Sequence, residues 1–337
     1  MENMDEQLPE MNAGSDPIVY PPKYEKRDQT TNIWIKSVIS LGLYLFLGYY
    51  IFHSFQMLLL ITSVVLFHEL GHFFAMKFFR YKDLGIFFIP LLGAYVSGSK
   101  RDVSQKESAI ILLAGPLPGI ILGIILYLLY QNDPTLAIGD ISFGDVALLL
   151  VFLNLINLFP VYPLDGGQLL NRVFLDEEGW IGKIFVFISI ALLAWLSWRL
   201  YSYHHQPIYF VFLLFPLMMV LRMFGDNKLK SVEKKIETEG IDMDKSYEDL
   251  PAEDYWKIRN ILIEQHPAFS DVPPAPPYEY DVKEEKIMTT IQSLLHRHLV
   301  QDVSMAGKIF ILLIWAAAIA SPWLLNMNMY FFRQFGL

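Results

Sequence analysis

Long apolar runs constrain this chain before any other feature does. Seven stretches, 33–52, 57–79, 109–130, 145–170, 183–201, 207–224 and 308–325, are each dominated by apolar residues. Each has about the 20 residues that a helix needs to cross a bilayer's hydrocarbon. Apolar residues make up 54% of the 337 and mean hydropathy is +0.35, too greasy for an ordinary soluble domain of this length. The expected fold class is therefore an α-helical polytopic membrane protein of about seven transmembrane helices. Its expected parts are a disordered polar tail (1–32), a six-span core (33–224), a small helical cytoplasmic segment (225–305) and a seventh span with its tail (306–337). Within 225–305, residues 251–266 and 282–298 pattern as amphipathic helices separated by the Pro-rich stretch 267–277. That segment is sized for a cap rather than for a substantial core of its own.

Charge sets the orientation. With the N-terminus in the cytoplasm, nearly all Lys and Arg between spans fall inside, including those of 77–106, 172–183 and 222–308. The connectors at His53, 131–144 and 202–206 fall outside and carry no Lys or Arg; Arg199 and Arg333 sit awkwardly. The acidic, polar start has no apolar signal-peptide region. A net charge of −9 without a basic stripe gives no footprint for nucleic acid, and the lipid bilayer is the expected surrounding. The chain has no cysteine, which excludes disulfides, thiolate metal sites and a Cys nucleophile.

One segment of the core is not helical in pattern. Leu84 to Val96 is too short and too interrupted for a span, with β-branched and aromatic residues around Pro90 and Gly93. It predicts a β-hairpin dipping into the membrane boundary. Such backbone must be buried in protein or line a wet cavity, so a cavity beside the second span is implied.

Chemistry enters with Phe67-His68-Glu69-Leu70-Gly71-His72, inside the second apolar run. Imidazole and carboxylate are costly within hydrocarbon and need a reason. On a helix His68 and His72 stand about 40° apart, one turn above the other, where one tetrahedral Zn²⁺ can take both. Glu69 lies on the adjacent face, within reach of a water at that ion. His-Glu-x-x-His is a zinc-hydrolase signature.

Two histidines need a third protein ligand if a position is to stay open for water. Asp165 is the carboxylate within the apolar body of the fourth run, seven residues before Arg172, while His72 lies eight before Arg80. Both therefore sit roughly 10–12 Å inside the cytoplasmic edge and can meet. Pro160 and Pro163 break the helix just before Asp165 and turn it inward.

Three motifs together carry a resemblance. His68-Glu69-Leu70-Gly71-His72, Ala114-Gly115-Pro116-Leu117 and Asn157-Leu158-Phe159-Pro160-Val161-Tyr162-Pro163-Leu164-Asp165-Gly166-Gly167 resemble, in order and spacing, the core of the site-2 protease family of intramembrane metalloproteases, over residues 57–171. The resemblance implies one Zn²⁺ held by His68, His72 and Asp165, with Glu69 as catalytic base. It implies a membrane-dipping strand at Gly93-Ala94-Tyr95-Val96 that meets substrate, and a substrate-contacting Asn157. Many members have Asn where this chain has Gly119; the form with Gly resembles the branch that includes plant plastid and cyanobacterial members. Nothing in the chain patterns as the PDZ or CBS domains attached in other branches, and the resemblance does not reach the seventh span.

The implied activity is zinc-dependent hydrolysis of peptide bonds within or beside transmembrane segments of membrane-protein substrates. A helical substrate must unwind before its carbonyls can be attacked, and an edge strand near Gly93 can pair with the unwound stretch. The expected setting is a bacterial inner membrane, with the site towards the cytoplasm. A metal-binding transporter or a catalytically silent scaffold is the competing class, since intramembrane His and Asp also line ion pathways. Glu69 separates the two, because a transporter needs ligands but no base beside the first of them.

Overall fold

The computed structural model describes residues 20–25, 33–52, 54–90, 93–100, 103–175, 180–205, 210, 213–243, 245–295 and 299–327. In chain order these form α1 (Ile33–Phe52), α2 (Phe55–Phe78), β1 (Lys82–Ile89), β2 (Gly93–Ser99), β3 (Val103–Ser104), α3 (Gln105–Ala114) and α4 (Pro116–Asn132). There follow β4 (Ala137–Ile138), β5 (Ile141–Ser142), α5 (Phe143–Asn157), α6 (Asp165–Leu169), a π-helical turn Leu170–Leu175, α7 (Trp180–His204) and α8 (Leu214–Thr238). The chain closes with α9 (Ala252–Gln265), α10 (Glu284–Leu294), β6 (Leu299–Val300) and α11 (Met305–Leu324). Two compact units divide it, one drawn from 29–224 and 297–337, the other from 1–28 and 225–296.

The first is the membrane unit. Among the described residues, five helical stretches are long and apolar enough to cross a bilayer: Ile33–Tyr50, Phe55–Phe78, Gln105–Asn132, Trp180–Tyr203 and Met305–Leu324. They expose large apolar side chains such as Val38, Phe46, Phe74, Phe187 and Leu313, a surface suited to lipid rather than water. Two of the seven expected spans differ. The fourth is the shorter helix α5, which stops at Asn157 because Pro160 and Pro163 cannot continue the ladder. The sixth was expected over 207–224, but 206–209 and 211–212 lie outside the described residues, and α8 starts at Leu214 and runs on past Phe224 to Thr238.

Helix starts in this unit share one device. Ser54, Ser104, Ser142 and Ser304 each accept a hydrogen bond from the backbone N–H three residues on, satisfying a donor the helix itself leaves open. The expected hairpin is present: β1 and β2 pair antiparallel, with Phe88 opposite Ala94 and Phe87 opposite Tyr95. One face buries Ile86 and Phe88 against Tyr44 of α1 and Leu58 and Phe73 of α2.

Helix α2 is drawn against the α3–α4 junction by glycine. A Cβ on Gly71 would fall 1.9 Å from the carbonyl oxygen of Ala114, and one on Gly115 would fall 2.3 Å from Nε2 of His72. Larger residues there would force the helices apart.

The second unit departs from expectation in two ways. It has a core of its own, with Tyr255, Trp256, Leu262, Ile287 and Ile291 among many buried side chains of α8, α9, α10 and the loops between them. The sequence also assigns residues 20–25 to a disordered tail, but they lie against this unit. Tyr20 and Tyr24 pack on its core, and the Lys23 ammonium donates to the carbonyls of Tyr247, Glu248 and Leu250. These contacts add apolar area from more than 200 residues away, which a local count of 225–305 omits. The far boundary moves as well. Residues 299–304 join the membrane unit, where β6 pairs parallel with β3 and Asp302 accepts from the Ser104 hydroxyl and the Lys106 N–H.

Candidate metal centre

His68, Glu69 and His72 lie on the buried face of α2, beside Leu58, Val64, Phe73 and Met76. His68 Nε2 and His72 Nε2 are 3.0 Å apart. Asp165 Oδ2 approaches them to 3.1 and 3.2 Å respectively. Among the described residues these three form a group whose ligand atoms all lie within 4.8 Å of one another, and all three side chains are buried.

Protons at this triangle are settled by what lies behind it. The carbonyl of Leu150 can only accept, so the amide facing it at 2.7 Å is Nδ2 of Asn154. Oδ1 of Asn154 therefore faces His68 Nδ1, at 2.7 Å, and that nitrogen carries the hydrogen. His72 Nδ1 faces the Ile111 carbonyl at 2.8 Å and is protonated for the same reason. In its neutral form each ring thus turns the Nε2 lone pair towards the buried Oδ2 of Asp165. Three electron-pair donors converging on one point, with the ring hydrogens held at Nδ1, suit a bound cation. Tetrahedral bonds of about 2.0–2.1 Å set ligand atoms about 3.3 Å apart, close to the spacing found. The residues fit zinc.

Asp165 is delivered by the break after α5. The chain turns through Phe159–Leu164, with Val161 N–H donating to the Phe159 carbonyl and Leu164 N–H to the Val161 carbonyl, and re-enters helix at Asp165. The two glycines that follow make this possible. A Cβ on Gly166 would lie 2.0 Å from the Leu158 oxygen, and one on Gly167 2.3 Å from the Val161 carbonyl carbon. Two other helices hold the turn from outside. Trp315 Nε1 of α11 donates to the Leu158 carbonyl at 2.9 Å, and Tyr162 N–H donates to Ser189 Oγ of α7 at 3.1 Å.

A cavity of about 960 Å³ opens beside the triangle. Every site residue expected from the sequence lines it: His68, Glu69, His72, Gly93, Ala94, Tyr95, Asn157 and Asp165. Asn157 donates one amide hydrogen to its own helix, to Leu153. Strand β2 is paired with β1 along one edge and, among the described residues, with no strand along the other. Further lining comes from Ser108, Gln168, Arg172 and Met218. Sequence reasoning passed over Asn154, Trp315 and Ser189. Asn154 left a signal, an amide in an otherwise apolar helix; Trp315 and Ser189 left none, being ordinary residues of apolar spans.

Fold and centre together define a multi-pass membrane protein with a buried His-His-Asp cluster fit to hold a metal ion. Comparison with known proteins agrees. Residues 56–136 match the profile of Peptidase family M50. The chain is 33% identical over 132 residues to "Zinc metalloprotease MJ0392" of Methanocaldococcus jannaschii, over 39% of this chain and 38% of that protein. It is 33% identical over 121 residues to "Stage IV sporulation protein FB" of Bacillus subtilis, over 35% of this chain and 40% of that protein. It is 30% identical over 124 residues to "Putative zinc metalloprotease sll0528" of Synechocystis, over 36% of this chain and 32% of that protein. The chain thus spans well under half the length of these curated relatives. Among solved structures, "Site-2 Protease from Methanocaldococcus jannaschii" is similar at 23% identity and a TM-score of 0.39, over 55% of this chain and 82% of that one. The segment that carries the His-Glu-x-x-His motif is thus similar to Peptidase family M50 and to proteins named as zinc metalloproteases.

Proposed function

We propose that this chain is an intramembrane metalloendopeptidase that hydrolyses peptide bonds within or beside transmembrane segments of membrane-protein substrates. One zinc ion is held by His68 Nε2, His72 Nε2 and Asp165 Oδ2. The observation carrying this reading is the close, buried triangle of those atoms, with Glu69 beside it on the wall of one cavity.

When bound, zinc supplies Lewis acidity, which acidifies a water and polarises a carbonyl. Glu69 takes the proton from the attacking water and returns it to the leaving amine. The Nδ1 hydrogen bonds of His68 and His72 keep both rings in the ligating tautomer. The edge of β2 at Gly93-Ala94-Tyr95 that pairs with no strand among the described residues receives an unwound substrate stretch as an added strand, restoring backbone bonds lost when its helix opened. Asn157, on the same wall, holds that stretch in register through its carboxamide. The N-terminus and the metal centre face the cytoplasm, by the distribution of Lys and Arg, in a bacterial inner membrane.

Comparing membrane-protein fragments from cells carrying the intact chain and the Glu69→Gln variant tests this. Fragments present only with the intact chain, and one zinc per chain in both proteins, are the expected result. Identical fragment patterns would remove the hydrolytic assignment and leave a metal-binding role.

A further inference from the structure

The side chain of Asn154 is completely buried, does not line the cavity, and lies on a helix other than those carrying the metal-ligating groups. An amide in the middle of an apolar helix is costly unless both its ends are satisfied. Here both are: Nδ2 donates to the Leu150 carbonyl at 2.7 Å, and Oδ1 accepts from His68 Nδ1 at 2.7 Å. The first bond leaves the amide one orientation, and that orientation leaves His68 one tautomer.

We propose that Asn154 is a positioning residue that fixes His68 with Nε2 deprotonated and aimed at the metal, in a slot kept open by Gly119 on the neighbouring helix. The space is tight: a Cβ on Gly119 would fall 2.2 Å from Nδ2 of Asn154 and 2.9 Å from Oδ1. The glycine and the amide therefore act as one unit across α4 and α5. Without the acceptor, the His68 hydrogen is free to move to Nε2, where it blocks the lone pair the ion needs. His72 is served separately by the Ile111 carbonyl, so losing Asn154 disables one ligand of three. This inference rests on the proposed zinc site.

The test is zinc affinity of the purified full-length chain in detergent, measured by competition with a chelator. Asn154→Leu removes the acceptor at similar volume, and Gly119→Ala leaves Asn154 in place but displaces its amide. Each is expected to weaken zinc binding about 10–100-fold, the usual effect of losing a group that orients a ligating histidine. Asn154→Asp, which keeps an oxygen facing His68, is expected to stay within a few-fold of the intact chain. With limiting free zinc and a cleavable substrate, apparent kcat falls and KM does not, because Asn154 is off the cavity wall. The ¹⁵N resonances of His68 in the metal-free protein supply a second readout: Asn154→Leu shifts its ring towards the Nε2–H form. Wild-type affinity in Asn154→Leu, with the intact chain binding zinc and Glu69→Gln inactive, overturns this inference alone. An intact chain that binds no zinc overturns the proposed site along with it. Should Asn154→Leu fail to fold, Gly119→Ala decides on the same scale, and wild-type affinity there also overturns the inference.

Discussion

Each of the two units buries a charged cluster, and the two clusters are built on opposite logic. In the unit that contains α9 and α10, Arg259 is fully buried, and each of its hydrogen bonds meets an acceptor. Its Nε donates to Glu284 Oε1 at 2.8 Å, Nη2 to Glu284 Oε2 at 3.1 Å and to the Glu279 carbonyl at 3.3 Å, and Nη1 to the Pro273 carbonyl at 3.1 Å. Glu284 also accepts from the Tyr255 hydroxyl and the Asp281 N–H. Donors and acceptors match, and the set is closed. In the membrane unit, Asp165 meets two imidazole nitrogens whose rings already donate elsewhere through Nδ1, so in the neutral rings acceptors face acceptors. Burial of charge does not distinguish a structural cluster from a site. The balance of donors against acceptors does.

The sharpest way to break this contrast is to mutate each cluster and ask what is lost. Asp165→Asn is expected to remove stoichiometric zinc and lower cleavage by about 10³-fold or more, with no loss of stability in the metal-free chain. Metal analysis beside a thermal melt reads both; a destabilised metal-free protein would make this cluster structural after all. Glu284→Ala is expected to do the reverse. It strands a buried guanidinium and should cost its unit about 3–5 kcal/mol while leaving zinc content intact. Hydrogen exchange along α9 and α10 in the full chain measures that cost. Replacing the pair together, as Arg259→Met with Glu284→Leu, is expected to recover most of it, and failure to recover would mean the cluster does more than hold the fold.

A smaller effect is expected at Trp315→Phe, which takes the indole donor from the Leu158 carbonyl behind the metal-bearing turn. About 1 kcal/mol, or roughly fivefold in zinc affinity, is the scale of one such bond. An unchanged affinity would show that α11 only packs there. The smallest effect belongs to the exposed pair Lys283 and Asp271, 2.6 Å apart. The ammonium's hydrogen bond holds the Asp271 carboxyl below its usual range. A lowered folded value stabilises above the ordinary carboxylate pKa of about 3.9, and that contribution fades as pH falls through the folded value. Melting curves between neutral and acid pH should therefore change only slightly in Lys283→Met, with the acid dependence flattened. A large drop at neutral pH would contradict the surface character of the pair.

Particular residues show where sequence reasoning reached and where it stopped. The pairing of His68 and His72 follows from four-residue spacing on a helix. The meeting of Asp165 with them was expected from its position before Arg172 and from two prolines, and the structure brings the three together. The hairpin was legible from Pro90, Gly93 and their β-branched and aromatic neighbours. The core of 225–296 was underestimated because Tyr20 and Tyr24, which complete it, lie far away in the chain. The span count fared worst at α5, whose early stop trades helix for the turn that places Asp165.

By itself, then, the amino-acid order determined which pair would share a helix face and which carboxylate could join it, since those follow from rise per residue and from the cost of polar groups in hydrocarbon. Only the folded chain decided that Asn154, 86 positions from His68, would set its proton, and that Gly71, Gly115 and Gly119 would be the points where helices close on the centre. Hydrogen-bond direction and close packing depend on groups that meet across the fold, and no local pattern carries them.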